Sequence, residues 1–284
     1  MNLPEIQTDD AFRKREFPVC RDKVYLAHAG VSPVPACVTQ AVKETAEKAA
    51  LNDQEEGLAE LLRITRKRAA QLLGADTSEV ALIGSTTAGL SAVAAGLDWQ
   101  EGDEILVYRD CFPVNVYPWQ ALESRGVKVR WLQTRALGQI TPELVAENLT
   151  DQTRLVALAS CHFVSGWRID HDAIGRVLRE RGVLFCLDAI QTLGAFPTTV
   201  KYVDFLAADA HKWLLGPCAA GIFYVRRELQ DLLVPSAFGW NNVRCPNYVA
   251  QEEMHLRSDA RRYEAGSFNI LGITGMNAAL GLLL

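Results

Sequence analysis

The chain has 284 residues, 49% of them hydrophobic and 22% charged, with a formal net charge of −5. That is enough apolar material for a sizeable core and more length than one small domain needs. The acidic balance gives no electrostatic case for nucleic acid binding, and no apolar run reaches membrane-spanning length.

Residues 1–10 lack the basic and apolar regions of a signal peptide, so the sequence predicts a cytoplasmic protein. A polar leader precedes Tyr25, and helices are predicted over 36–50 and 55–73, the second stopping at Gly74. Within the latter, the charged run 63–68 reads as a solvated helix face rather than an anion site. Glu79-Val-Ala-Leu-Ile83 reads as a strand, followed by the small-residue turn Gly84-Ser-Thr-Thr-Ala-Gly89 and a helix over 87–97. Another strand, 104–108, leads into Asp110-Cys-Phe-Pro-Val-Asn-Val-Tyr-Pro-Trp119, and helices follow over 118–124, 141–149 and 170–181. Apolar runs with no helical period mark strands at 182–187, 203–208 and 220–225, and a last apolar helix covers 271–284. This alternation predicts an α/β fold with a mainly parallel, mixed sheet sandwiched by helices. There are no internal repeats or low-complexity segments.

The seven cysteines are scattered, odd in number and free of any Cys-x-x-Cys pair, which points to reduced thiols and implies no zinc site. Cys161 and Cys186 fall in strand-like runs and are expected to be small core residues.

Two segments carry the chemistry. Leu184-Phe-Cys-Leu-Asp-Ala-Ile-Gln191 ends a strand at Asp188, and Ala208-Asp-Ala-His-Lys-Trp-Leu-Leu-Gly-Pro217 places Lys212 just after another. Ligands of open α/β sheets collect outside the carboxyl ends of strands, so both groups belong at one rim. Pyridoxal phosphate needs a lysine amine for its Schiff base and a carboxylate to keep its pyridine nitrogen protonated. Taken singly, Asp188 is equally a helix cap or turn residue, and a His-Lys pair is an ordinary solvated loop. The combination of Asp188, Gln191, His211 and Lys212 with the Gly216-Pro217 turn is far more specific. The Gly84 to Gly89 turn meets the need for a phosphate anchor: a helix start offers free N–H groups, and Thr86 and Thr87 add hydroxyls. Phe112 follows the strand 104–108 and can stack on the ring, its alternative being plain core packing.

These segments resemble the aminotransferase class V family of pyridoxal phosphate enzymes, which includes cysteine desulfurases, kynureninase and isopenicillin N epimerase-like proteins. The likeness runs from Tyr25-Leu-Ala-His-Ala-Gly-Val-Ser-Pro33 to Arg262-Tyr-Glu-Ala-Gly-Ser267. It implies the large domain of fold-type I pyridoxal phosphate enzymes over 36–284, with 1–35 as the N-terminal part of a small domain plus an active-site loop. It further implies phosphate contacts from Thr86, Thr87 and His211, a Gln191 hydrogen bond to the cofactor's phenolic oxygen, and stacking by Phe112. On the substrate side it suggests His28, Asn115 and Arg262; a surface histidine is an equal alternative for the first, and an ion pair with Glu264 or a neighbour is weighed ahead of ligand contact for the last. Three positions depart from the family pattern. Ser85 stands where the family has Gly, Phe163 where desulfurase-like members have Asn, and Asp209 where a Ser is usual, so Asp209 is read first as a turn or capping residue.

The final helix ends at Leu284 without a C-cap, and relative to the family the C-terminal part of the small domain is expected to be missing. That part is where the family supplies a substrate-carboxylate arginine and, in desulfurases, a reactive cysteine. A turn at 238–242 lies where relatives reach across a dimer, so a homodimer is expected by resemblance. The predicted function is an enzyme acting on an amino acid or amine through a Lys212 Schiff base, as transaminase, epimerase or lyase, with 164–170 leaning toward the epimerase-like branch. Two readings in the same fold stay open, a cysteine desulfurase-like lyase and a cofactor-binding partner subunit without turnover. A nucleotide-binding protein is disfavoured, because the chain has no Gly-x-Gly-x-x-Gly or Walker-type lysine.

Overall fold

A computed structural model describes residue 6 and residues 8–284; the expected polar leader before Tyr25 lies partly outside them. The helices are α1 (Asp10–Glu16), α2 (Ala36–Ala49), α3 (Leu58–Leu73), α4 (Thr86–Gly96), α5 (Tyr117–Gln120), α6 (Pro142–Asn148), α7 (His171–Glu180) and α8 (Ile270–Leu283). The strands are β1 (Val80–Ile83), β2 (Glu104–Val107), β3 (Lys128–Trp131), β4 (Thr153–Ala159), β5 (Leu184–Asp188), β6 (Phe205–Asp209) and β7 (Gly221–Val225). They form one sheet in the order β1-β7-β6-β5-β4-β2-β3. Only β7 is reversed, antiparallel to both β1 and β6, while β6, β5, β4, β2 and β3 pair in parallel. The sheet is therefore mixed and mainly parallel, as the alternation of elements predicts.

Side chains leave alternate faces of each strand, so every strand feeds two cores. Leu106, Val156, Phe185, Leu187 and Leu206 join Leu73 of α3, Leu178 of α7 and Met276 of α8 on one side. On the other, Ile105, Leu155, Cys186, Phe205 and Phe223 pack with Leu90 and Val93 of α4 and Trp119 of α5. Two strands, β3 and β4, carry no expectation from the sequence. β3 is an edge strand whose Lys128 and Arg130 interrupt the apolar pattern, whereas β4 is a buried run with a charged residue near its start. Cys186 is a core residue of β5, as expected, but Cys161 is half-buried in the turn after β4, where it bridges Arg168. Among the described residues no helix is long and apolar enough to cross a membrane.

The run 63–68 is not a simple solvated face. Arg63 and Lys67 are exposed, but Arg66 turns inward and places Nη2 2.7 and 2.9 Å from the two carboxylate oxygens of Glu264. Its Nε donates to the Val80 carbonyl, while the Leu82 N–H donates to Glu264 at 2.8 Å. Arg68 donates to the backbone and side-chain oxygens of Asn277 in α8. A charge pattern within one helix cannot reveal partners that lie about two hundred residues away. Burial pushes the Glu264 carboxyl up and Arg66 opposes it. Removing one partner of a buried ion pair leaves the other uncompensated, at a cost of about 3–5 kcal/mol. Arg66→Met should therefore lower the unfolding free energy obtained from urea titration by an amount in that range, with Arg63→Met as the near-neutral comparison.

Candidate active site

The parallel strands deliver their carboxyl ends to one rim. Asp188 ends β5, Asp209 ends β6, and α4 starts just after β1, while the loops after β2 and β4 bring Phe112, Asn115 and Phe163. These residues line a cavity of about 450 Å³, within the size range of small-molecule and cofactor sites. Thr86, Thr87, Gln191, His211 and Lys212 line it too, so most of the expected cofactor residues are brought together.

Asp188 is 2% exposed. Its Oδ2 accepts from Asn115 Nδ2 at 2.7 Å and its Oδ1 from the Ile190 N–H at 3.0 Å. Burial pushes its carboxyl up; the Asn115 and Ile190 hydrogen bonds and the Lys212 charge pull it back. Asn115, itself buried, thus holds Asp188 with one amide proton and lines the same cavity.

Lys212 is 8% exposed. Burial lowers its pKa, and the carboxylates of Asp188 and Asp209 oppose that shift. Its Nζ lies 5.4 Å from the centre of the Phe112 ring. The turn carrying it is packed tightly from behind: a Cβ on Gly194, whose φ is +96°, would sit 2.3 Å from the Trp213 carbonyl oxygen. Phe112 is 46% exposed and meets Phe163 edge to face at 5.5 Å, so it forms a cavity wall and not core.

At the other end, Ser85 caps α4 by accepting from the Ala88 N–H at 3.1 Å. Thr86 is buried and its Oγ1 accepts from the Asp209 N–H at 2.9 Å, which leaves its own hydroxyl proton to donate. The N–H groups of Thr86 and Thr87 begin a helix and have no partner within it. Asp209 is a buried strand residue, not the turn or cap expected. Its Oδ1 lies 3.0 Å from His211 Nδ1, yet the orientation leaves both buried atoms without a hydrogen bond. Gln191 accepts from Trp213 Nε1 at 3.0 Å and donates to the Ala29 carbonyl at 2.9 Å, which ties the N-terminal loop to the rim and leaves one amide proton unspent.

Two expected substrate residues lie elsewhere. His28 stacks on Trp213 at 5.1 Å while Ala29, Gly30 and Val31 line the cavity mouth, and burial lowers its pKa. Arg262 is buried among the Arg257 and Gln230 carbonyls and makes an ion pair with Asp231 at 2.9 Å, while Glu264 pairs with Arg66. Cys111, His162 and Cys161 were not anticipated near the site. Burial and the Asp188 charge push the Cys111 thiol up to about 12, and burial raises that of Cys161. Nothing in their spacing marks them, since each owes its place to where a β-strand ends.

The model of the aminotransferase class-V family matches residues 24–283. A probable cysteine desulfurase of Methanothermobacter thermautotrophicus is 30% identical over 283 residues, 97% of this chain and 70% of that protein. The uncharacterized aminotransferase YcbU of Bacillus subtilis is 30% identical over 273 residues, covering 94% of this chain and 71% of its own length. The crystal structure of the cysteine desulfurase CsdA from Escherichia coli superposes with a TM-score of 0.84 at 27% identity, across 95% of this chain and 70% of that one.

Since burial favours the neutral amine, Lys212 should become reactive at a lower pH than an ordinary lysine. A base whose folded pKa is depressed binds fewer protons when folded, so its effect on stability grows more favourable as pH rises from the folded pKa to the unfolded one. Borohydride trapping of pyridoxal phosphate on Lys212, read by mass spectrometry across neutral and alkaline pH, should give a midpoint below that of urea-unfolded chain. Coincident midpoints would show that the fold does not tune this amine.

Proposed function

The chain belongs to the aminotransferase class-V family, a family of pyridoxal phosphate enzymes, and we propose that it is a lyase releasing sulfur from cysteine or a closely related amino acid. One observation carries the cofactor assignment: a buried carboxylate and a buried amine, Asp188 and Lys212, line a cavity that also holds a helix start with a free threonine hydroxyl. The donor set fits pyridoxal phosphate. Asp188 would hold the ring nitrogen, Lys212 would attach the group, Phe112 would cover one ring face, and Thr86 with the first N–H groups of α4 would receive the phosphate. The unbonded pair of Asp209 and His211 sits at that same end, where an imidazole can turn toward an anion.

When bound, the cofactor supplies an electron sink for charge developing at the substrate Cα. Asp188 keeps that sink effective by remaining anionic against a cationic ring nitrogen, a state that Asn115 and the Ile190 N–H favour. Lys212, with its amine biased toward the neutral form, takes the proton from Cα. Phe112 and Phe163 shield the reacting end from water.

The desulfurase-named relatives favour C–S cleavage over transamination. Among the described residues lining the cavity, the two thiols are those of Cys111 and Cys161, and both are held protonated at neutral pH. We read the step as elimination, which needs no protein thiolate. Lys212 removes the Cα proton, hydrosulfide leaves Cβ with the bonding electron pair, and the resulting enamine hydrolyses to pyruvate and ammonia.

Cofactor-loaded protein given L-cysteine should release sulfide and pyruvate in equal amounts. Sulfide with alanine would replace elimination by transfer to a thiol. Keto acid from other amino acids, or racemised substrate, without sulfide would overturn the lyase reading. Lys212→Ala should remove the visible absorption of covalently held cofactor. Asp188→Asn should keep the cofactor but lower turnover by roughly a hundredfold or more, the scale of losing a charge that acts on the transition state.

A further inference from the structure

Between the loops after β2 and β4 lies His162, 5% exposed and outside the cavity already described. Its Nδ1 faces the Ser165 N–H at 3.1 Å, the Val164 N–H at 3.4 Å and the Ser165 hydroxyl at 3.2 Å. Two backbone donors fix Nδ1 as the acceptor, so Nε2 carries the proton and donates to the Asp110 carbonyl at 2.7 Å. One imidazole thus closes its own turn and, from its far side, grips the loop that carries Phe112. The turn is also held by His162 N–H to the Trp167 carbonyl and Gly166 N–H to the His162 carbonyl, both at 2.9 Å. A third loop braces it from below, since a Cβ on Gly138 would come within 2.5 Å of His162 Cβ.

The two loops joined here carry the two cavity aromatics. The His162 ring lies 5.1 Å from that of Phe163, Phe163 meets Phe112 at 5.5 Å, and Phe112 faces Lys212 Nζ at 5.4 Å. Both phenylalanines are substantially exposed, so packing alone does not fix them. We propose that His162 is a positioning residue that locks the β2 and β4 loops together and so sets the Phe112–Phe163 wall over Lys212. This rests on the reading of that wall as the cofactor's cover. It involves no proton transfer by His162, whose two nitrogens are both engaged.

Two amide substitutions separate the bridge from the turn. In His162→Asn the side-chain oxygen can replace Nδ1 at the Ser165 N–H, but nothing reaches Asp110. In His162→Gln the longer amide can donate to the Asp110 carbonyl. With pyridoxal phosphate-loaded protein, His162→Asn should raise both the cofactor dissociation rate and KM on the order of tenfold, the scale of one or two lost hydrogen bonds, and change kcat much less. It should also shift the visible band, and His162→Gln should restore all three toward the parent. If His162→Asn keeps the parent's band, cofactor retention and KM while losing only thermal stability, the residue merely holds its turn and the proposal fails. Should His162→Asn not fold, Ser165→Ala with His162→Gln makes the same comparison from the opposite side: Ser165→Ala, which spares the bridge, must then leave band and KM unchanged. A parent protein that captures no pyridoxal phosphate would instead refute the functional reading.

Discussion

Everything at the rim depends on keeping one carboxylate charged where water hardly reaches it. Burial pushes the Asp188 carboxyl up, and two hydrogen-bond donors and the Lys212 charge pull it back. Each comes from a different part of the chain: Asn115 from the loop after β2, Ile190 from the turn after β5, Lys212 from the turn after β6. The parallel arrangement makes this convergence possible, because strands running the same way release their loops at the same edge. The charge on Asp188 and the direction of the strands are therefore one constraint seen at two scales.

The same economy governs the rest of the cavity. Thr86 touches Asp209, Gln191 joins Ala29 to Trp213, and His162 joins the loops of Phe112 and Phe163. In each case a polar side chain that is largely buried holds two segments in register, as buried polar groups must be paired to be tolerated. The departures from family pattern fit this picture. Asp209 would oppose a phosphate if it stood alone, but His211 lies beside it, with Nδ1 3.0 Å from Asp209 Oδ1.

Every helix but α1, which lies in what reads as a polar leader, five of the strands and the main residues of the cavity are legible in the sequence, since apolar runs and the Asp188 and Lys212 motifs are local signals. What escapes is relational. The partner of Arg66 lies at Glu264 and that of Arg68 at Asn277, distances along the chain that no window of sequence spans. Arg262 reads as one half of an ion pair, but that its partner is Asp231, with two carbonyls around it, needs the fold. Asn115 is legible as a polar position, yet its service to Asp188 needs the sheet to be assembled. His162 is missed for the same reason, because its task is defined by a carbonyl from another loop.

The reversed strand has a consequence for biosynthesis. β1, which leads directly into the turn at Ser85 and Thr86, pairs only with β7, and its backbone is further pinned by Glu264. A chain emerging from the ribosome makes the turn at Thr86 early but cannot dock the strand before it until residues 221–225 have appeared. Such non-local pairing is slow, and an unpaired strand is a hazard while it waits. The cofactor pocket is consequently among the last parts of the molecule to close, although much of it is encoded in the first half of the chain.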